Sequence, residues 1–529
     1  MSRYNNRMSS SYGSQWQNVV PPNIVRRPTQ KRTWKERFMR KYGMGIYADV
    51  RELSPVPSWL IGKSVLFFFI ALVLCLLSYY YVPDANLLLT AIISIILFFY
   101  GGLSISRNNK KLNEKQFLKN IFVIGFVIRV VWVLYMYFVF NPNYYYNTFG
   151  DPADVDWYMP FGKDLAAWMV GDLPLSLSDV IDSNIAAIDD VGYPMWLGII
   201  YTLTGGVSDV FIPMILKSIL SASCAIFAYN IAKRHFGESV ARISAIFVCL
   251  NPNMIYWCAS MMKESEMVFL CCLSVDKLDK ALSSGNKLTF GAIWPGLFAG
   301  ISLLFFRSAL GIVVLLAVMV HVVLVSQKVI GWEKKVLVGL LLTSVLVLSV
   351  GDRIINQSKE LLEAAQSDSQ QTNMEWRSQR TGGNELAKYA GAAVFAPLIF
   401  TIPFPTFNQA NKAQLLQVQL SGGSYIKNIL SFFVIVVLFL MLISGEWRKC
   451  VFILAYTCGY LVVLVFSGFA QSGRFHMPII PMLMILAAYG IQVAKHNKRL
   501  KRGFTYVLVG EVLICLAWNW FKLKGRGMI

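Results

Sequence analysis

Long apolar runs recur along the chain, separated by short polar stretches. Most of them approach the ~20 residues that a helix needs to cross a bilayer. The candidate spans are residues 60–82, 86–104, 120–140, 209–231, 239–258, 289–306, 308–326, 336–351, 428–443, 450–469, 477–494 and 504–521. Shorter apolar pieces at 191–206, 264–276 and 392–405 are typical of partial or re-entrant helices. The pattern predicts an all-α polytopic membrane protein with about twelve to fourteen transmembrane helices and external juxtamembrane helices in its loops.

The composition excludes an ordinary soluble domain. Of the 529 residues, 56% are hydrophobic and 15% are charged, whereas soluble domains carry about 25% charged residues. All nine cysteines lie within or beside apolar segments, and none has metal-ligand spacing with a histidine. We interpret them as small buried side chains and expect no redox chemistry.

Topology accounts for the net charge of +20. Residues 1–63 contain twelve Lys and Arg against three acidic residues, and more basic clusters at 106–111, 232–237, 446–450 and 495–502 lie at alternating span ends. The positive-inside rule places these ends in the cytoplasm. Nucleic acid is not expected as a partner, because the aromatic residues lie mostly inside apolar spans and form no stacking surface.

This topology predicts three parts of the chain. Residues 1–59 form a basic cytoplasmic tail that is partly disordered, 60–521 form the transmembrane domain, and 522–529 form a short C-terminal tail. Two polar stretches, 141–190 and 352–427, are predicted as external loops. We expect a multi-pass protein of the bacterial inner membrane, with its N-terminus in the cytoplasm.

The short piece 191–206 decides on which side of the membrane Glu264 emerges. If it crossed the membrane, the basic cluster 232–237 would lie outside, against the positive-inside rule. We therefore predict that it does not cross. This places Glu264 on the same side as the acidic loop 141–190.

The first external loop holds nine aspartates and one basic residue. Asp151, Asp154 and Asp156 stand soon after the third span in the stretch GDPADVDWY, and their spacing lets two carboxylates converge if the chain turns or begins a helix. Converging carboxylates can provide a general base or bind a divalent cation. Trp157 and Tyr158 follow and can anchor the loop at the interface or stack on a sugar. The alternative is a solvated loop, which we expect for the later aspartates up to Asp190.

Isolated ionisable residues interrupt three other apolar regions on the predicted outer side. Charges at such positions are costly unless they reach the interface or have a partner, and Arg recognises phosphate through its fork of donors. We predict a catalytic role for Glu264 and substrate-binding roles for Lys263, Arg307, Arg474 and His476. Interfacial or structural side chains are the alternative.

In their order and spacing, several motifs are similar to those of a known superfamily. They are GDPADVDWY, then GYP at 192–194, IAKRHFG at 231–237, NP..IYW leading to an acid at 251–264, and R.HMPIIPMLMILAAYG at 474–490. With these motifs the chain resembles the GT-C superfamily of membrane glycosyltransferases, in the branch of the protein O-mannosyltransferases and the lipid A aminoarabinose transferase. The likeness covers most of residues 120–495 and leaves out the two preceding spans, 60–104.

The resemblance implies roles for the candidate residues. One of Asp151, Asp154 and Asp156 would match the loop aspartate that acts as a base or positions the acceptor. Glu264 would match the second acid. An arginine, Arg307 or Arg474, would bind the phosphate of the lipid donor.

The expected function is transfer of a sugar from a polyprenyl-phosphate-linked donor to a glycan, lipid or protein acceptor outside the cytoplasm, with membrane lipid around the site. No cofactor is indicated beyond the alternative of a divalent cation. A polysaccharide polymerase or ligase that uses the same lipid carriers is the second interpretation, with an Arg-x10-Gly pattern from Arg380 to Gly391 as its slight support. A transporter is the third, and it would depend on Arg129 in the third span.

The topology predicts where introduced cysteines are accessible. A membrane-impermeant thiol reagent applied to intact cells should label sites introduced into 141–190. Sites introduced into 495–503 should be labelled only after lysis. The reverse pattern would overturn the scheme.

Overall fold

Residues 55–79, 84–144, 152–184, 190–206, 209–283, 290–325, 392–408, 415–467, 470–495 and 497–525 are described by the computed structural model of this chain. Every regular element within these ranges is a helix, and none of these residues forms a strand. The predicted all-α polytopic membrane fold is confirmed.

Eight helices of the described part are long and apolar enough to cross a membrane. They are Ser58–Tyr79, Ala85–Asn108, Glu114–Phe140, Phe211–Phe236, Ser421–Ser444, Glu446–Phe466, Met477–Lys495 and Lys498–Lys524. Two shorter apolar helices, Gly291–Phe306 and Ser308–Leu324, add to them. The predicted total of twelve to fourteen also includes 336–351, which lies outside the described residues.

Three predicted boundaries differ from the structure. The run 239–258 is not one span, because its helix ends at Leu250 and a separate short helix follows at Pro252–Tyr256. The piece 264–276 belongs to a continuous helix, Glu264–Ser283, whose six charged residues hid its length. The last residues of the predicted loop 352–427 already belong to the helix Ser421–Ser444.

The predicted loop 141–190 contributes two helices, in line with the loop helices expected from the sequence. Pro152–Val170 and Leu177–Asn184 precede Gly192–Leu203. The last has twelve residues and is therefore about 18 Å long, too short to cross a bilayer. A side chain at Gly198 would come within 3.0 Å of Leu165, so glycine allows the first and third of these helices to pack closely.

An ion-pair network marks one end of the bundle. Arg234 pairs with Asp276 at 2.8 Å and with Asp279 at 2.7 Å. Glu264 begins the helix that carries both aspartates and so lies about 18 Å from Asp276 along the axis. The basic cluster 232–237 and Glu264 are therefore at opposite ends, in agreement with the predicted topology.

A break in the helical chain lies at Asn251 and Pro252, inside the bundle. The Asn251 side chain accepts hydrogen bonds from the next two backbone N–H groups and caps the short helix. The break frees carbonyls of the preceding helix, and Arg129 satisfies them: its guanidinium donates to the Cys249 carbonyl at 3.0 Å and to that of Val248 at 3.5 Å. Arg129 is fully buried and thus has a structural role.

Replacing Arg129 should destabilise the bundle. Arg129→Met leaves two or more buried carbonyls without donors, and each costs about 1–3 kcal/mol. We expect a clearly lower thermal midpoint in detergent than for Arg499→Met, which removes an exposed cation. Equal midpoints would show that the freed carbonyls do not need Arg129.

Candidate functional site

Arg474 bridges two acidic residues that are remote in sequence. Its Nε donates to Glu264 Oε1, and its Nη1 lies 2.5 Å from Asp154 Oδ2. The Glu264 side chain is fully buried, whereas 31% of the Asp154 side chain is exposed. Three of the predicted site residues, from three separate segments, are therefore in direct contact.

Charged neighbours outweigh burial in setting the pKa values of Glu264 and Arg474. Burial alone would raise the pKa of Glu264, but the charges of Arg474 and then Arg307 outweigh burial and hold that pKa below its usual range. Burial would likewise lower the pKa of Arg474, but Glu264 and Asp154 raise it further above its usual value. Glu264 and Arg474 are therefore both charged at neutral pH.

Lys263 lies beside the bridge and forms an ion pair with Asp190. Burial, and next the charge of Arg307, lower the pKa of Lys263 to about 7. The carboxylate of Asp190 acts in the other direction and favours the charged form. The charge on Lys263 thus depends on the anions around it.

Arg307 and Arg474 share one aromatic ring. Their guanidinium carbons lie 4.3 Å and 5.5 Å, respectively, from the ring centre of Phe475, within the range of cation–π attraction. Among the described residues, the Arg307 side chain has one further polar contact, a long one of 3.4 Å to the Tyr460 hydroxyl. Arg307 is therefore a cation with no carboxylate partner among the described residues.

Lys217 supports the turn that carries Lys263 and Glu264. Its Nζ donates to the carbonyl of Ser260 at 2.6 Å and to that of Met262. It also lies 3.6 Å from the carboxylate of Glu266. Lys217 thus contacts both the carbonyls of the turn and a carboxylate in the first turn of the following helix.

Trp157 and Tyr158 are held by protein contacts. The Trp157 indole donates to the Asn184 carbonyl at 2.6 Å, and Tyr158 is buried with its ring edge-on to Tyr193, 5.1 Å away. Lys263 lies 5.9 Å from the centre of the Tyr158 ring. Trp157 therefore joins the two loop helices to each other, and Tyr158 packs the first of them against Tyr193.

The three candidate aspartates do not converge as a group. Asp154 reaches Arg474, but Asp156 is exposed and lies two residues further along the helix, about 200° around its axis. Asp151 lies outside the described residues. Of the two that the structure describes, only Asp154 contacts Arg474.

His476 is separate from the bridge. Its Nε2 lies 2.7 Å from the Ala470 carbonyl, and its Nδ1 lies 3.2 Å from Nζ of the buried Lys427. Both ring nitrogens therefore have protein partners. For His476 to contact a substrate as predicted, one of these nitrogens would have to exchange its protein partner for the substrate.

No group of three or more His, Cys, Asp or Glu side chains suited to a metal ion occurs among the residues described. The two acids that meet at the site, Asp154 and Glu264, share Arg474 instead. A divalent cation stays a prediction that these residues do not favour.

Two participants were missed by reasoning from the sequence. Asp190 was expected to be solvated but pairs with Lys263. Lys217 was overlooked, although it is the single charge within the apolar run 211–232. A lone ionisable residue inside a span marks a buried polar contact, and that signal could have found it.

A scan of the chain against protein-family models gives no match. A search of curated proteins finds none with significant sequence similarity. The likeness to the GT-C superfamily therefore rests on the motifs quoted above.

The bridge predicts a coupling between Arg474 and Asp154 that Asp156 lacks. Combining Arg474→Gln with Asp154→Asn should reveal a coupling of about 0.5–1 kcal/mol in unfolding free energy, small because the pair is partly solvated. The matched cycle with Asp156→Asn should give a coupling near zero. Equal couplings in the two cycles would contradict the assigned contact.

Proposed function

We propose that this protein is an integral membrane glycosyltransferase that moves a sugar from a polyprenyl-phosphate-linked donor to an acceptor outside the cytoplasm. The observation that carries the proposal is the Arg474 bridge to Asp154 and Glu264, at the end of the bundle opposite the basic cluster 232–237. The acceptor is a glycan, a lipid or a protein. The setting is the bacterial inner membrane, with the N-terminus in the cytoplasm.

The cations at this end suit the donor phosphate. Arg307 forms no ion pair with a carboxylate among the described residues, Arg474 pairs with Glu264, and Lys263 is the residue just before Glu264. A phosphate bound here would accept charge-assisted hydrogen bonds, which are the stronger kind. It would also favour the charged form of Lys263.

The two acids have different roles in this proposal. Glu264 is fully buried and holds Arg474 through Nε. Asp154 is partly exposed, so the donor phosphate can replace it on Nη1. That exchange frees the Asp154 carboxylate beside the bound donor, where a general base is needed.

The reaction is then a direct displacement. The acceptor hydroxyl oxygen attacks the anomeric carbon and forms the new glycosidic bond, while the bond from that carbon to the phosphate oxygen breaks. The electron pair leaves with the polyprenyl phosphate, held by the cations. The hydroxyl proton passes to Asp154, and the sugar carbon is inverted.

The other two interpretations have less support. The stretch from Arg380 to Gly391, on which the polymerase or ligase alternative partly rested, lies outside the described residues. Arg129, on which the transporter alternative rested, donates to backbone carbonyls at the helix break. Its charge therefore serves the fold.

Substitution of the two neighbouring aspartates tests the proposal. Asp154→Asn should lower turnover by roughly 10²–10⁴-fold, the usual cost of losing a positioned base. Asp156→Asn, the exposed control, should retain near-normal turnover. The assay uses purified protein in nanodiscs, a panel of radiolabelled polyprenyl-phosphate sugars and membrane extract as the source of acceptor.

Two outcomes would overturn the proposal. One is the absence of transfer from every donor of the panel by the folded wild-type protein. The other is transfer that is equally fast in both variants, which would remove Asp154 from the reaction.

A further inference from the structure

A cavity of about 340 Å³ lies between the helices Ala85–Asn108 and Glu114–Phe140, with the broken segment around Pro252 as its floor. This is within the size range of ligand pockets in proteins. Glu264 and Arg474 are not among the residues that line it. The cavity is therefore separate from the Arg474 bridge to Asp154 and Glu264.

The walls of the cavity belong to the lipid-facing side of the bundle. Leu89, Ile93 and Val131 line it, and each is more than half exposed. Both wall helices are candidate membrane spans. In a bilayer the surroundings of such walls are hydrocarbon, so a hydrocarbon chain fills this space.

One side chain in the lining has unmet polar groups. Gln419 is only 2% exposed, and neither Nε2 nor Oε1 of its carboxamide has a hydrogen-bond partner among the residues that the structure describes. A buried amide without partners costs about 1–3 kcal/mol per group. The occupant of the cavity is therefore expected to carry both a donor and an acceptor.

The carboxamide lies below the membrane surface. The chain just after it packs directly on the wall helix, since a side chain at Gly422 would come within 2.9 Å of the Ala91 carbonyl. Ala91 is six residues beyond Ala85, about 9 Å from the helix end that the topology places outside. A headgroup at the surface is too far away, but the linkage at the top of a lipid chain is at the right depth.

The lack of charged side chains in the lining further limits which lipids the cavity can bind. None of the described residues that line the cavity is charged, so the site does not suit a phosphate. A polyisoprenoid tail would fill the space but would leave both polar atoms of Gln419 unpaired. An amide-linked acyl chain satisfies all these conditions, because its carbonyl accepts from Nε2 and its N–H donates to Oε1.

We propose that this cavity binds the acyl chain of an amide-linked membrane lipid, with Gln419 pairing to the amide. This lipid is distinct from the sugar donor. The site does not depend on the transfer reaction, so it can be tested without any activity assay.

Photo-crosslinking of the full-length protein tests the site. The probe is a ceramide with a diazirine in its acyl chain, incorporated at low fraction into phosphatidylcholine nanodiscs. Labels should map to peptides that contain 89–97 and 128–135. Val131→Trp fills the cavity and should reduce this labelling at least about fivefold, whereas Val127→Trp, an equally lipid-exposed position one turn away that does not line the cavity, should not.

Competition identifies the linkage. Unlabelled ceramide should compete better than diacylglycerol, and roughly tenfold better than the ether-linked dialkylglycerol, as two lost hydrogen bonds would require. This preference should disappear in Gln419→Leu and persist in Gln417→Leu, which changes an exposed glutamine two residues away.

Three results would overturn the proposal. Equal labelling of the Val131 and Val127 variants would exclude the cavity as the binding site. Equal competition by the amide, ester and ether lipids would remove the role of Gln419. Polyprenyl phosphate as the best competitor would show that the cavity holds an isoprenoid chain.

Discussion

Backbone groups inside a membrane bundle must find hydrogen-bond partners within the protein. The break at Asn251–Pro252 leaves carbonyls of the preceding helix without their usual helical donors. The segment from Asn251 to Glu264 is buried throughout and contains two short helices, Pro252–Tyr256 and Trp257–Ala259, followed by a bend. Its carbonyls, and those at the end of the preceding helix, are satisfied by side chains of two neighbouring spans. Arg129 donates on one side of the break and Lys217 on the other. These two buried side chains thus provide donors to carbonyls that the break in the helix leaves without backbone partners.

The turn in the backbone brings the residues of the candidate site together. Because the chain does not continue as a helix through 251–263, it carries Lys263 and Glu264 to the end of the bundle at which the loop helix Pro152–Val170 lies. Arg474 then joins the two segments through Asp154 and Glu264. The buried charges are costly to the fold, and each of them is balanced by a charge or by carbonyls from another element.

The sequence patterns predicted the spans well and the site only in part. Apolar length is a local property, so the eight long helices follow from it. The break at Asn251 was missed because the apolar run continues through it, and the helix Glu264–Ser283 was underestimated because its charges lie at its two ends. The contact between Glu264 and Arg474 joins positions 210 residues apart, and no local pattern encodes such a pairing. Lone charges in apolar regions pointed to Glu264 and Arg474, and the closely spaced aspartates of the acidic loop pointed to Asp154.

The difference in burial between the two acids is the reason that Asp154, and not Glu264, is the base in the proposed reaction. A general base works best when its pKa lies near the working pH, and the cations around Glu264 hold its pKa below the usual range. Glu264 is also enclosed, so a substrate would have to displace Arg474 to reach it. Asp154 has one contact to the same guanidinium and part of its surface in solvent. In the proposed reaction, an anion that competes for Arg474 would release Asp154 first and leave the buried pair intact, so that donor binding would also expose the proposed base.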